Sequence, residues 1–279
     1  MPKKEPQIET FYQMSPYVKI GIASESNEPG DGWDYEHSFK DLVLNPYISA
    51  ETLAAKIVNY TVSSYPPDEY SNTQAAVNLD SLITIFIPIF KNFASSLYCN
   101  MYNYTSAITN DWYQTEYYNY PNLELHHFAQ KISQDASLPQ DLRVTASSVL
   151  NAYPKAVIAS GHGQYQPNAS GFTIWFPNNY ESNPQKQAYL TKIDFSQENW
   201  DEFLSMFDNP FEVLIRGDCS RDGVCDISDI IFLINYVFYG GPSPNPMFLG
   251  DVNCDEVVDI QDIIYLIDYI FYQGSAPCS

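Results

Sequence analysis

Two acidic stretches near the C-terminus have the residue types and spacing to hold a hard cation. The first runs from Asp218 to Asp229 and puts Asp218, Ser220, Asp222, Asp226 and Asp229 at positions 1, 3, 5, 9 and 12. The second puts Asp251, Asn253, Asp255, Asp259 and Asp262 at the same positions. Calcium takes about six to eight oxygens, and a short loop can present alternate side chains plus the carbonyl of position 7, here Val224 and Val257. The pattern therefore predicts two calcium sites. Position 6 favours a left-handed backbone, which Gly223 adopts freely and Glu256 does not.

The loops lie 33 residues apart, and the segments after them repeat too: Ile230-Ile-Phe-Leu-Ile-Asn235-Tyr-Val-Phe-Tyr239 returns as Ile263-Ile-Tyr-Leu-Ile-Asp268-Tyr-Ile-Phe-Tyr272. A duplicated loop-plus-helix unit is far harder to reach by chance than one acidic turn. Each helix has a single strongly polar residue, Asn235 or Asp268. A helix apolar all round needs cover all round, and a module of about 60 residues lacks the bulk to supply it. The surplus face predicts a partner, either another protein or the preceding part of the chain.

Neither loop is preceded by a helix. Phe211 to Gly217 reads as a strand, and Gly240-Gly-Pro-Ser-Pro-Asn-Pro246 is a breaker run. Loop, then helix, twice, with Asp rather than Glu at position 12, resembles the type I dockerin module. The resemblance implies two calcium ions and docking onto a cohesin domain of a scaffold or surface protein. Positions 10 and 11, often Ser-Thr in dockerins, are Ile227-Ser228 and Ile260-Gln261 here, so partner choice does not carry over.

Four of the five cysteines, Cys219, Cys225, Cys254 and Cys278, fall in this module. That clustering points to disulfides and an extracellular or cell-surface home. Three pairings are possible, and proximity favours Cys219–Cys225 with Cys254–Cys278. Cys99 sits in an apolar helical stretch and reads as a buried small hydrophobe.

The 279 residues carry 34 acids and 13 basic residues, a formal charge of −21. Residues 211–279 hold eleven of the acids and two arginines. Nucleic-acid binding needs a basic footprint and is excluded. No apolar run reads as a membrane span. Met-Pro-Lys-Lys-Glu-Pro-Gln7 lacks the apolar core of a signal peptide. A disulfide-bearing calcium module without an export signal leads us to expect that the true N-terminus lies upstream of Met1.

The elements before the module alternate. Tyr17–Ser24 is a nearly continuous apolar strand, of the kind buried in a parallel sheet. Helices are expected over 35–44, over 49–64 with Ser49 as N-cap, over 81–101 with a kink at Pro88, over 123–134, over 139–153 and over 199–207. Lys155–Ser160 and Gly171–Phe176 read as strands. The layout is α/β, with domain bounds of 1–208 and 209–279.

Three stretches carry a second resemblance: Ile22-Ala-Ser24-Glu25 through Glu28-Pro-Gly-Asp31-Gly-Trp33 to Tyr35, Gly171-Phe-Thr-Ile-Trp-Phe-Pro177, and Trp200-Asp-Glu-Phe-Leu204. Together they are similar to the C-terminal part of a clostripain-type cysteine peptidase of the caspase-like clan. The resemblance implies a caspase-like α/β/α sheet and cleavage after Arg or Lys by a His–Cys dyad. It places the nucleophile six residues before Glu9, where this chain has Lys3, and the catalytic His upstream of Met1. A thiolate and its base must lie within hydrogen-bond reach, so this chain is expected to be inactive.

His162-Gly163 looks like the family's His-Gly, but the family's His precedes its Cys, so it reads as a loop histidine. His126-His127 reads as a helix-face pair, without a third ligand for zinc. A basic substrate side chain needs a carboxylate, and the resemblance puts it in the 25–33 loop, with Asp31 first and Glu25 behind it. The alternatives are a non-catalytic protein that binds peptides or spaces the dockerin, and a component of extracellular polysaccharide breakdown. An N-terminally incomplete sheet would leave the large domain marginally stable.

Overall fold

The computed structural model describes residues 7–26, 29–66, 72–118, 120–197, 199–208, 215–220, 224–244 and 247–278. The chain divides into two compact units, Met1–Pro210 and Phe211–Ser279.

The large unit is a mixed α/β body. It begins with α1 (Ile8–Met14), β1 (Ile20–Ala23), α2 (Tyr35–Leu44), α3 (Ala50–Ser63) and β2 (Thr73–Asn78). A single turn α4 (Leu79–Ser81) and a π-helical segment Leu82–Phe86 lead into α5 (Ile87–Tyr113). Then come β3 (Asn122–Glu124), α6 (Leu125–Gln134), α7 (Gln140–Ala156), β4 (Val157–His162), β5 (Thr173–Trp175), α8 (Lys186–Lys192) and α9 (Trp200–Asp208). The caps agree with the sequence: Ser49 Oγ accepts from Thr52 N at 3.1 Å, and Asp34 Oδ1 accepts from His37 N at 3.0 Å.

The sheets correct one expectation. β1, β2 and β4 form a three-stranded sheet in that order and are antiparallel throughout, with Ile20 opposite Asn78 and Ala76 opposite Ala159. β3 and β5 form a separate antiparallel pair. The apolar run at β1 reports cover on both faces, not strand direction. Ala54 and Val58 of α3 pack with Ile20 and Ile22 on one side. The Phe11 ring lies where a side chain on Gly21 would stand, 2.5 Å from a Cβ placed there.

Pro88 does not break its helix. It falls in the first turn of α5, where a missing N–H costs little, and the widened turn Leu82–Phe86 just before it absorbs the mismatch. The helical stretch Leu79–Tyr113 is long and apolar enough to cross a membrane by length and composition. It serves instead as the core helix, burying Phe86, Phe90, Phe93, Leu97 and Met101 completely. Around it stand Phe172, Phe176, Trp200 and Phe203, with the Phe86–Phe172 and Phe176–Trp200 rings 5.1 and 5.2 Å apart. Cys99 departs from expectation and is exposed. It lies two residues, about 200° round the helix, from both Leu97 and Met101.

The small unit contains α10 (Ile227–Tyr239) and α11 (Ile260–Tyr272). Its core is Cys219, Ile230 and Leu233 from the first repeat against Val252, Ile263 and Leu266 from the second. These are the same three places in each copy, so the duplication buries itself face to face. Cys254 and Cys278 are disulfide-bonded. Cys219 and Cys225 are free thiols, contrary to the expected pairing. Cys219 takes the core place that Val252 takes in the second repeat, with its sulfur directed at the Leu249 carbonyl at 3.4 Å. Most of the strand expected over 211–217 lies outside the described residues.

Candidate calcium loops and pocket loop

Each loop is closed by its position-12 aspartate. Asp229 is fully buried; its Oδ1 accepts from Ser220 N and its Oδ2 from Asp226 N, both at 2.8 Å. Asp262, equally buried, accepts from Val252 N and Asp259 N at 2.9 Å and from Asn253 N at 3.4 Å. Asp226 and Asp259 at position 9 cap α10 and α11, so loop and helix form one unit. Burial pushes the Asp229 and Asp262 carboxyls up, against the backbone donors that hold them down.

In loop one, Asp218 is buried and Ser220 Oγ lies 3.5 Å from its Oδ1. Val224 and Asp226 come next among the described residues, and Asp222 and Gly223 lie outside them. In loop two, Asp251 Oδ1 and Asn253 Oδ1 both accept from Asp255 N, at 3.1 and 2.9 Å, and Asp255 Oδ1 accepts from Val257 N at 3.0 Å. Glu256 takes φ of 70°, the left-handed backbone that position 6 requires. Among the described residues no three carboxylates converge into a preformed cage. The oxygens are instead taken up by the loops' own amides. The donor set is all oxygen, the hard type calcium prefers over zinc. The residues fit the ion, which would draw the position 1, 3 and 5 oxygens together as it orders the loop.

In the large unit, Asp31 is exposed in the Pro29–Gly32 turn, which Gly32 N closes onto Pro29 O at 3.0 Å. Glu25 is not beside it in water but in the core, 1 % exposed, with Oε1 accepting from Gly171 N at 2.7 Å. Burial pushes its carboxyl up to about 8. A carboxyl mostly neutral at pH 7 is a poor partner for Arg, so the structure separates the two acids: one accessible, one structural.

Glu25 belongs to a buried acid network that sequence reading missed. Glu124 caps α6 through His127 N and is fully buried, which raises its pKa well above the usual carboxylate range. Glu116 accepts from Asn168 Nδ2 at 2.7 Å and from the Tyr118 hydroxyl. His127 Nδ1 accepts from Glu116 N at 3.2 Å, so this histidine is a member of the network, and burial lowers its pKa. Glu9 on α1 accepts from Trp175 N at 3.0 Å and is pushed up to about 7 by burial. The one signal in the sequence was acids standing within apolar runs, as in Asn122-Leu-Glu-Leu125. His162, at the end of β4, is exposed and bonds the neighbouring Gly163 carbonyl at 3.0 Å.

Comparison with known proteins matches two segments of the chain. Residues 6–207 match the Clostripain family, and residues 216–271 match the Dockerin type I domain. The chain belongs to the clostripain family and carries a C-terminal dockerin, a module that binds calcium. Similar solved structures include a B. fragilis cysteine protease, at 14 % identity over 70 % of this chain and 82 % of that one, with a TM-score of 0.47. An inactive zymogen C11 protease from Parabacteroides distasonis and a secreted C11 cysteine protease from Bacteroides thetaiotaomicron each show 14 % identity, 70 % coverage and a TM-score of 0.48. This chain spans 56 % of the length of each of those two. No curated protein matches.

Proposed function

We propose that this chain is a calcium-dependent docking protein of the cell exterior, with a dockerin that seats on a cohesin-type partner and a clostripain-type unit that accepts Arg or Lys side chains at Asp31 without cleaving them. The observation that carries the docking reading is a matched pair of exposed apolar stripes. Ile227, Ile231, Phe238 and Tyr239 of α10 are open to solvent, and so are Ile260, Ile264, Phe271 and Tyr272, their counterparts on α11. Core places repeat because they pack on one another; repeated exposed places have no such reason within this unit and suit a partner surface. Calcium at Asp218, Ser220, Asp222, Val224, Asp226 and Asp229, and at Asp251, Asn253, Asp255, Val257, Asp259 and Asp262, would set both helices in register for that contact.

The lack of cleavage rests on residue types. The cysteine of the large unit, Cys99, stands on α5, whereas His162 stands at the end of β4, and position 3 holds lysine. The test is titration calorimetry against a cohesin panel with and without EGTA. We expect binding in calcium, loss in EGTA, and loss in the double variant Ile231→Asp/Ile264→Asp. Binding that ignores calcium would sink the docking reading. Release of dye from an arginyl amide by the purified chain would sink the non-cleaving one.

A further inference from the structure

α2 is turned inside out. Ser38 is its one buried residue among those described, while Tyr35 is 57 % exposed, Phe39 56 % and Val43 76 %, with Tyr47 beyond the helix at 95 %. Tyr35, Phe39 and Val43 recur at four-residue steps within the helix, so they line one stripe. Trp33, Tyr35 and Phe39 stack in a ladder with centroid spacings of 6.3 and 6.1 Å. The ladder starts at the pocket loop: the Tyr35 ring edge lies 3.8 Å from where a Cβ on Gly32 would stand, next to Asp31. Tyr65 anchors that end by donating its hydroxyl to the Gly32 carbonyl.

Holding so much apolar surface in water is costly unless something covers it. Alternate residues of an extended peptide repeat at about 6.7 Å on one side, close to the ring spacing. The polar surroundings hold four acids, Asp31, Asp34, Glu36 and Asp41, against His37, Lys40 and Lys56, with Asp34 paired to His37 and Asp41 to Lys56. A second copy of a chain of charge −21 is a poor occupant for such a rim. We infer that this stripe is the groove floor for an extended peptide whose basic residue reaches Asp31 and whose alternate residues to one side are apolar or aromatic. The inference rests on the proposed role of Asp31 and adds the substrate class: basic residues flanked by apolar ones at every second place.

The test uses the full chain in calcium with two fluorescein-labelled hexapeptides, each containing one Arg, one with Leu and Phe at alternate positions and one with Ser there. Anisotropy should show the apolar peptide binding at least about tenfold tighter, and Tyr35→Ser/Phe39→Ser should erase that difference by weakening the apolar peptide far more than the Ser peptide. Asp31→Asn should weaken both peptides alike. Both replaced side chains are solvent-exposed, and a matching thermal melt verifies the fold; Val43→Ser/Tyr47→Ser provides a second, milder variant. Equal affinity for the two peptides, or a preference that survives both double variants, would overturn the inference while leaving Asp31 intact. Failure of both peptides to bind below millimolar concentration would overturn both readings. Self-association that disappears in the Tyr35→Ser/Phe39→Ser variant would replace the peptide with a second copy.

Discussion

Glu25 and Glu124 in the large unit and Asp229 and Asp262 in the small one are all carboxyl groups taken out of water, yet the two regions neutralise them differently. The large unit uses protons. Its glutamates face one another and tyrosines across an apolar interior, and burial lifts Glu9 to about 7 and Glu25 to about 8. The small unit uses amides, with each closing aspartate accepting two or more backbone N–H bonds at the neck of an acidic loop. The same kind of side chain is thus a proton-holding core group in one place and the amide-bound closure of an acidic loop in the other. What differs is whether oxygens from a local loop can converge on one point.

The sharpest way to break that comparison is to remove calcium. Chelation should unfold the small unit, read as loss of helical circular dichroism. The fluorescence melt should hold, because all four tryptophans, 33, 112, 175 and 200, lie in the large unit. A simultaneous loss of tryptophan signal would contradict the separation.

Next in size is the Cys254–Cys278 disulfide, which closes 24 residues and contributes about 3 kcal/mol by restricting the unfolded chain. Cys278→Ala should lower the calcium-loaded melting point and weaken the ion at loop two more than the ion at loop one. Titration with calcium, followed by mass, separates the two.

Asp229→Ala should cost about 1–3 kcal/mol of small-unit stability, since it removes two backbone hydrogen bonds to a buried carboxylate. Asp262→Ala should cost less overall, because the disulfide still holds loop two. Equal losses in denaturant melts would show that the bond does not brace the loop.

The large unit should respond to pH in the opposite sense to a salt-bridged protein. Glu9 and Glu25 keep protons in the folded chain that the unfolded chain has released above about 4.5. Stability should therefore fall as pH rises from about 5 to 8. Glu25→Gln, a neutral mimic, should flatten that slope, giving a gain over wild type at pH 8 that shrinks toward pH 5. A wild-type fluorescence melt unchanged between those pH values would refute the proton-holding core.

The smallest effect concerns Glu256 at φ of 70°. Glu256→Gly should relieve about 1 kcal/mol of left-handed strain and tighten loop two modestly, as a calcium titration of the variant would show.

Much of the small unit was legible because its information is local and doubled. Oxygen spacing, the position-12 aspartates and the apolar helices lie within one loop and one helix, so the same pattern can be read twice. The helices at 35–44 and 49–64 were legible for a similar reason, since Asp34 and Ser49 cap them from one turn away. The resemblance carried by Glu-Pro-Gly-Asp-Gly-Trp33 rested likewise on contiguous residues.

What the amino-acid order alone determined is thus the set of local units: two acidic loops closed by aspartate, helices with near neighbours as caps, and an acid, Asp31, on an exposed turn. Tertiary structure alone decided the rest. The direction of β1 depended on β2, whose Thr-Gln-Ala-Ala-Val-Asn78 run has little strand signature. The separation of Asp31 from Glu25 depended on Gly171, 146 residues away. Cys219 took a core place among residues of both repeats. Burial, strand pairing and the partners of buried acids are set by residues distant in sequence, and no pattern read along the chain reports which of them will meet.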